Sequence, residues 1–279
     1  MATRLPGSIY SAGLVLQDRY RLDEPLASGG MAEVWRGHDL VLQRPVAIKL
    51  LHPHLASDEA VVERFRREAI SAAKLSHPNI VPTYDAGTDK GATFIVLGLV
   101  QGPSLAGVLE GGGVTEREAV SIARQVAEAL EHAHRKGLVH RDVKPANVLV
   151  VDDEKRVMVA DFGIAKAIAE ASDESLTLPG LVIGTPAYVA PEVLAGDDAD
   201  ERSDIYAVGV MLHEMICGPH HGDQPTQLTG VERGAAEDHH CEALPPVLAT
   251  IVDRATAPDR ADRYASAADL AGALRAGEP

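Results

Sequence analysis

A His-Arg-Asp-Val-Lys-Pro-Ala-Asn segment ends at Asn147, and an Asp-Phe-Gly segment begins at Asp161. Asp142 can accept the proton of an attacking hydroxyl group, and Lys144 places a positive charge nearby in the sequence. Asn147 and Asp161 offer the hard oxygen ligands that suit Mg²⁺, which keeps its remaining positions for phosphate and water. Phosphoryl transfer from ATP depends mostly on positioning and charge neutralisation, so this set of side chains is suited to it.

A turn of small residues lies upstream, in the sequence Leu-Ala-Ser-Gly-Gly-Met-Ala-Glu-Val that ends at Val34. Gly29 and Gly30 carry no Cβ, so backbone N–H groups there can lie close to phosphate oxygens. Glycine-containing hairpins usually mark only a turn, and this signal is weak by itself. It indicates a phosphate-binding turn only together with the residues that follow.

Further along the chain, Lys49 and Glu68 are interpreted together as an ion pair. Lys49 ends the apolar run Val-Ala-Ile-Lys, where a lysine usually keeps its ammonium group in water. Glu68 lies within residues 57–75, whose apolar residues recur at helical spacing and predict a helix packed by one face. An ion pair between Glu68 and Lys49 would hold the ammonium group against the α- and β-phosphates of a nucleotide.

These segments, in this chain order, resemble the protein-kinase superfamily and, more narrowly, the bacterial eukaryotic-like (Hanks-type) serine/threonine protein kinases. The resemblance covers residues 18–275. Each motif alone is short enough to arise by chance, whereas the whole series in order is specific. Further segments that match the family pattern are 65–69, 77–81, 184–188, 190–192, 203–209 and 263–264.

The resemblance implies an α+β, two-lobed protein-kinase fold. It places an antiparallel β-sheet and the αC helix in an N-lobe of about residues 18–97, followed by a hinge at residues 98–102. A mainly helical C-lobe would span residues 103–275. Residues 1–17 are expected to form an irregular leader.

The longest helix of the second lobe is also predicted directly by its sequence. Thr115 and Glu118 form a capping-box signature at its start. Gly137 is a suitable residue for the position just beyond its end. The helix would deliver the chain into the segment that contains Asp142.

The family resemblance implies a role for each chemically active residue. Asp142 would orient and deprotonate the acceptor hydroxyl group, and Lys144 would neutralise the transferring phosphoryl group. Asn147 and Asp161 would hold Mg²⁺, with Mn²⁺ as a possible substitute. The catalytic set is therefore Asp142, Lys144, Lys49 and Glu68, and the residues implied to contact ATP are Ala27, Ser28, Gly29, Gly30, Val34, Ala47, Lys49, Gly98, Val100 and Leu149.

Several further residues are implied to support the site without reacting. Thr185 would bond Asp142 and Lys144, and Asp204 would tie a helix to the segment around them. A buried ion pair is expected between Glu192 and Arg263. His140 is expected to be a packed structural histidine beneath Phe162, and not a base.

Regulation by phosphorylation is expected in the polar segment 169–185. Ser172, Ser175 and Thr177 are the candidate sites, with Thr177 first, because the resembling family is modified at a similar distance before its Gly-Thr pair. A phosphate there would offer strong acceptors to Arg141. The alternative is an exposed loop that is never modified.

Two departures from the family pattern affect what the resemblance implies. Ala27 and Ala32 occupy positions usually held by glycine, and alanine disfavours positive φ by roughly 1 kcal/mol. We therefore expect an altered nucleotide affinity without loss of activity. Residues 218–243 are polar and His-rich, whereas the family usually has an apolar docking helix at this position. The resemblance therefore does not predict a docking surface here.

Composition is compatible with an enzyme of one large or two small lobes, because 279 residues can bury a sizeable core. No apolar run approaches the ~20 residues of a membrane span, and no signal peptide is evident. The net charge of −15 makes nucleic-acid binding unfavourable and is compatible with basic protein substrates. Cys217 and Cys241 are too few for a disulfide scaffold and indicate a reducing cytoplasm.

Three functions fit these observations to different degrees. The sequence favours a protein kinase that transfers the γ-phosphate of ATP to Ser and Thr hydroxyls of proteins, with autophosphorylation. A pseudokinase scaffold that binds ATP is the main alternative, supported only by Ala27 and Ala32. A small-molecule kinase is opposed by Arg141 and by residues 184–192. The resemblance is also compatible with a homodimer that forms through the N-lobes.

Overall fold

The computed structural model describes residues 9–151, 155–162, 186–218 and 244–278. These residues divide into two units at residues 101 and 102. The first unit contains the described residues up to 76 together with 81–101, and the second contains 77–80 and the described residues from 102 onward.

The first unit is built on a six-stranded antiparallel sheet with the strand order β1-β2-β3-β4-β6-β5. Residues 46–51 of β4 are buried without a break, because this strand lies inside the sheet. The strands are β1 (Val15–Leu16), β2 (Tyr20–Ser28), β3 (Ala32–Asp39), β4 (Arg44–Leu51), β5 (Thr83–Asp89) and β6 (Ala92–Gly98).

The core of the first unit includes residues that were predicted to belong to an irregular leader over residues 1–17. Tyr10 is only 3% exposed and packs into the same apolar cluster as Leu16 and Trp35. Its hydroxyl donates a hydrogen bond to the carbonyl of Leu51, at 3.0 Å. The physical reason for the difference is that Tyr10 and Leu16 supply apolar surface that the sheet buries.

Two helices accompany the sheet, α1 (Pro53–Ala56) and α2 (Glu59–Ala72). Asp58 caps α2 by accepting hydrogen bonds from the backbone N–H groups of Ala60 and Val61. The buried face of α2 consists of Val61, Phe65 and Ala69, as the periodicity predicts, and it packs against β5 and β6.

The second unit is mainly helical and contains one two-stranded hairpin. The hairpin is β7 (Val148–Val150) and β8 (Val157–Val159), and 3₁₀ turns lie at Pro145–Asn147, Pro186–Tyr188 and Arg260–Asp262. The helices of its described part are α3 (Leu105–Glu110), α4 (Glu116–His134), α5 (Pro191–Leu194), α6 (Glu201–Cys217), α7 (Pro246–Ala255) and α8 (Ala267–Ala276).

Helix α4 confirms the capping signal in the sequence. The hydroxyl of Thr115 accepts a hydrogen bond from the N–H of Glu118, and the Glu118 carboxylate accepts one from the N–H of Thr115. Gly137 has φ +74°, a conformation that favours glycine and ends the helical path. The apolar face of α4 packs against α6 and α8 and forms the core of this unit.

The second unit and the first together give the α+β fold class that the sequence predicts. In the part of the chain that the structure describes, no helix is long and apolar enough to cross a lipid bilayer. Cys217, at the end of α6, is disulfide-bonded, although the small number of cysteines indicated reducing surroundings.

Candidate active site

The segment before Asp142 is held by one buried carboxylate on α6. Asp204 is 1% exposed, and its Oδ1 accepts the backbone N–H of Arg141 at 2.8 Å. Its Oδ2 accepts the N–H of His140 and the Nε2–H of His134, both at 2.8 Å. The predicted tie between Asp204 and this segment is therefore present. Because Arg141 has φ +69°, these bonds also hold a strained backbone in place.

His140 is a structural residue, as the sequence predicts. It is fully buried, and its ring packs on that of Phe162 with centroids 4.6 Å apart. Its Nε2–H donates to the carbonyl of Ala160 at 2.9 Å, while its Nδ1 accepts the N–H of Asp142 at 3.2 Å. Both ring nitrogens are occupied, so the imidazole positions Asp142 and does not act as a base.

The catalytic loop, residues 140–147, brings three of the predicted residues together. Lys144 Nζ lies 2.8 Å from each carboxylate oxygen of Asp142. Asn147 donates its amide N–H groups to the Asp142 carboxylate at 2.9 Å and to the Asp142 carbonyl at 2.8 Å. The side chains of Asp142 and Lys144 remain 29% and 22% exposed, so a substrate can reach them.

The donor set of Asn147 and Asp161 fits a divalent cation. The Asn147 amide nitrogen is used by Asp142, so its carbonyl oxygen is the end that remains to bind a metal. The hairpin explains why the backbones of Asn147 and Asp161 lie close together. Val148 pairs with Val159, and Ala160 donates its N–H to the carbonyl of Asn147 at 2.9 Å, directly before Asp161.

The first unit contains the predicted phosphate-binding turn. Residues 29–31, the glycine-rich turn, join β2 to β3, and the N–H of Gly29 donates to the carbonyl of Ala32 at 2.9 Å. Ala27 and Ala32 lie within these strands, and neither has positive φ. The conformational penalty expected for alanine at these two positions is therefore absent.

The sheet register places Lys49 beside the strand that follows the glycine-rich turn. Lys49 pairs with Val34 across β3 and β4, and Ala47 is the next residue of β4 on the same face. Lys49 is only 5% exposed, so its ammonium group does not extend into water as lysines at strand ends usually do. Gly98, at the end of β6, pairs with Val46 of β4.

The structure locates the other predicted site residues as follows. Glu68 is half-buried on α2, in the same unit as Lys49. Val100 lies beyond β6 in the first unit, whereas Leu149 is the middle residue of β7 in the second. Thr185 and the phosphorylation candidates Ser172, Ser175 and Thr177 lie outside the described residues, as does most of segment 218–243.

The predicted ion pair between Glu192 and Arg263 is present and buried. Arg263 donates to both carboxylate oxygens of Glu192, at 2.7 and 2.8 Å, and Ser203 adds a third hydrogen bond at 2.8 Å. Burial by itself raises the pKa of Glu192, but these bonds outweigh it and the pKa lies below its ordinary value. The pair fixes α5 to the segment before α8.

A cavity of about 530 Å³ lies beside Lys144 in the second unit. Its walls are apolar and acidic, with Glu110 from α3 and Glu214 from α6. The Tyr188 hydroxyl donates a hydrogen bond to the Glu214 carboxylate. Burial and then this bond raise the pKa of Tyr188, so the hydroxyl stays protonated.

A comparison of the sequence with models of protein families identifies the family of this chain. The model described as "Protein kinase domain" matches residues 20–265, which is most of the chain. The chain belongs to the protein kinase family. Among curated proteins this kinase domain is 40% identical over 271 residues to the serine/threonine-protein kinase PknL of Mycobacterium tuberculosis (strain CDC 1551 / Oshkosh), a match covering 94% of the chain and 66% of the relative.

Other relatives support the same assignment. The serine/threonine-protein kinase PknB of Mycobacterium tuberculosis (strain ATCC 25618 / H37Rv) is 40% identical over 265 residues, which is 91% of this chain and 42% of PknB. The crystal structure of the Mycobacterium tuberculosis PknI kinase domain matches with a TM-score of 0.72 and 29% identity, covering 96% of this chain and 99% of that one. This kinase domain spans two thirds or less of the length of PknL and PknB.

Sequence reasoning missed two histidines of the site. His134 lies on the buried face of α4 and bonds Asp204, and a histidine among the alanines and leucines of that face was the available signal. His52 contacts the glycine-rich turn, with its Nε2 2.8 Å from the carbonyl of Gly29. No local pattern marks His52, because the contact depends on the hairpin folding back over the end of β4.

Proposed function

We propose that this domain transfers the γ-phosphate of ATP to Ser and Thr hydroxyls of proteins. The observation that carries the proposal is the joint contact of Asp142 with Lys144 and Asn147 in the catalytic loop. It places a proton acceptor, a cation and a metal ligand around one point that substrate can reach. Both halves of the family's signature, in the first unit and in the second, are present in the chain.

In the second unit, Asp142 orients the acceptor hydroxyl and takes its proton, since a carboxylate is the base in reach. Lys144 shares its ammonium between Asp142 and the transferring phosphoryl group, where it offsets developing negative charge. Asn147 and Asp161 hold Mg²⁺, which supplies charge neutralisation to the phosphates when bound. Mn²⁺ offers the same oxygen-ligand chemistry.

In the first unit, the glycine-rich turn and Lys49 bind the phosphates of ATP. Lys49 is buried, so a carboxylate such as Glu68 is needed to compensate its charge until a nucleotide binds. Val34 and Ala47 provide small apolar surface on the same sheet for the adenine ring, and Gly98 and Val100 offer backbone groups. Ala27 and Ser28 complete the proposed contacts of this unit, and Leu149 is a contact that we propose for the second unit.

The acceptor side of the reaction is assigned to the cavity beside Lys144. Glu110 and Glu214 make it acidic, so we infer protein substrates with basic residues next to the acceptor Ser or Thr. Since the phosphoryl donor is ATP, we also place this domain in the cytoplasm.

Transfer of label from γ-³²P-ATP to a basic protein substrate, with Mg²⁺, tests the proposal. The Asp142→Asn variant should lose at least about 100-fold in kcat, because general-base contributions are of that size. Its Kd for ATP should match that of the wild type, measured by calorimetric titration. Wild-type protein that binds ATP with Mg²⁺ and transfers no label would replace the kinase proposal with the scaffold alternative.

Regulation follows as a second part of the proposal. We propose autophosphorylation at Thr177 first, then at Ser175 or Ser172, with Arg141 as the partner of the phosphate. Arg141 is exposed, which leaves its guanidinium accessible to a new anion. Mass spectrometry of protein incubated with ATP should find phosphate within residues 169–185, absent from Asp142→Asn. An unmodified segment in active enzyme would rule this out.

A further inference from the structure

A polar cluster at the end of β4 lies against the glycine-rich turn. His52 follows β4 directly, and its side chain is 17% exposed. Beneath it lies Glu33, the second residue of β3, which is 3% exposed. A carboxylate that is buried to this extent is costly unless it is compensated.

His52 is bonded to the glycine-rich turn at two points. Its backbone N–H donates to the carbonyl of Met31 at 2.8 Å. Its Nε2 lies 2.8 Å from the carbonyl of Gly29. The two carbonyls flank Gly30, so a single residue fastens both sides of the turn to the end of β4.

The geometry determines where the protons of His52 lie. A carbonyl oxygen only accepts hydrogen bonds, so Nε2 must carry a hydrogen. Nδ1 then faces the Glu33 carboxylate, with Oε1 3.9 Å away. His52 is therefore the donor to the Gly29 carbonyl through Nε2, at 2.8 Å.

Other described groups also contact Glu33, His52 or the end of β4. The other Glu33 oxygen accepts the Trp35 Nε1–H at 3.0 Å. His54 on α1 stacks on His52 with centroids 5.7 Å apart, and because it is exposed its charge is screened. Tyr10 donates to the Leu51 carbonyl, and burial and then the field of Glu33 raise its pKa, so it is neutral.

We propose that His52 is a positioning residue for the phosphates of ATP. It acts through the carbonyls of Gly29 and Met31, whose bonds to His52 hold the glycine-rich turn against the end of β4. Nucleotide affinity should therefore weaken when the side-chain bond to Gly29 is lost. This proposal rests on the proposed function of the turn as the phosphate-binding element.

The test compares His52→Ala and His52→Gln with wild type. Calorimetric titration with the non-hydrolysable imido analogue of ATP and Mg²⁺ measures Kd without turnover. His52→Ala loses the bond to Gly29, and its Kd should rise about three- to ten-fold, the usual size of one net hydrogen bond. Glutamine places an N–H near the position of Nε2, so His52→Gln should restore the wild-type Kd. In turnover assays KM for ATP should change and kcat should not.

Recovery of the wild-type Kd in His52→Gln separates positioning by the hydrogen bond from simple packing of the imidazole ring. His54→Ala, a matched loss of one exposed imidazole, should behave as wild type within two-fold.

A wild-type Kd within two-fold of that of His52→Ala would overturn the proposal. So would a His52→Gln variant as weak as His52→Ala. Hydrogen exchange at residues 29–31 in nucleotide-free protein gives an independent readout, with faster exchange expected in His52→Ala. Protein that binds the analogue and never transfers phosphate refutes the kinase activity while leaving this proposal testable.

Discussion

Two non-glycine residues beside the proposed reaction centre have positive φ, Arg141 at +69° and Asp161 at +63°. Such a backbone costs of the order of 1–3 kcal/mol and persists only where the surroundings fix it. Around Arg141 the fixing groups are the two oxygens of Asp204. This strained residue directly precedes Asp142 and is held from α6, so Asp204 fixes the backbone that carries Asp142.

Replacing Asp204 by Asn should therefore lower kcat, although Asp204 lies on α6 and not in the catalytic loop. The new amide places a donor against backbone N–H groups that donate already, so at least one buried bond is lost. We expect kcat to fall more than ten-fold, with an unchanged Kd for ATP. The free energy of unfolding should drop by about 1–3 kcal/mol. Steady-state kinetics and urea unfolding measure both quantities.

Asp253→Asn is the control for this substitution, because Asp253 is exposed on α7. It should leave kcat and stability unchanged. If Asp204→Asn retained the wild-type kcat, the Asp204 carboxylate would have no part in aiming Asp142.

At the scale of elements, close packing of α6 against α7 depends on Gly209. A Cβ at Gly209 would lie 2.8 Å from both the Cβ of Ala255 and the Cγ2 of Thr256. Gly272 in α8 is the opposite case, since a Cβ there would meet nothing within 4 Å. Both glycines lie within helices, so the gain in helix propensity from alanine is the same and only the packing differs.

The two glycine-to-alanine substitutions should therefore change stability in opposite directions. Gly272→Ala should raise the free energy of unfolding by about 0.5–1 kcal/mol, the propensity difference. Gly209→Ala should lower it by about 1–3 kcal/mol, because overpacking exceeds that gain. Thermal unfolding of the two variants tests this, and a stabilised Gly209→Ala would show that α6 and α7 can separate without cost.

The elements themselves were largely predictable from the sequence. The apolar spacing of Val61, Phe65 and Ala69 predicted α2, and Thr115 with Glu118 predicted the start of α4, because these signals are local. Tyr10 was placed in a leader that was expected to be irregular, because a single aromatic residue has no periodicity. Its burial depends on strands that are distant in the sequence.

At the scale of the whole molecule, the net charge of −15 makes compensated carboxylates important for stability. Asp39 is the strongest case in the first unit. Arg19 donates to both of its oxygens, at 3.0 and 2.8 Å, and the N–H groups of Leu42 and Val41 add two further bonds. Against the effect of burial, the bond from Arg19 and then these backbone bonds lower the pKa of Asp39 to about 2.

This shift predicts the pH range in which stability is lost. A carboxyl group with a lowered pKa in the folded state stabilises it fully above the ordinary pKa of 3.8. The contribution then decreases as the pH falls from 3.8 towards about 2. Asp39→Asn should be less stable than wild type at pH 7, and the difference in urea midpoint should shrink below pH 4. A difference that stays constant down to pH 2.5 would contradict this.

The sequence by itself determined the family and the fold class, and it predicted which groups react, because these depend on motifs of fixed spacing such as His-Arg-Asp. It also predicted the roles of His140, Asp204 and the Glu192–Arg263 pair through the resemblance. Tertiary structure alone decided how the groups are held. His134 reaches Asp204 and His52 reaches Gly29 only because strands and helices that are far apart in the chain pack together. Hydrogen bonds are short and directional, so these contacts follow from three-dimensional packing and not from residue order.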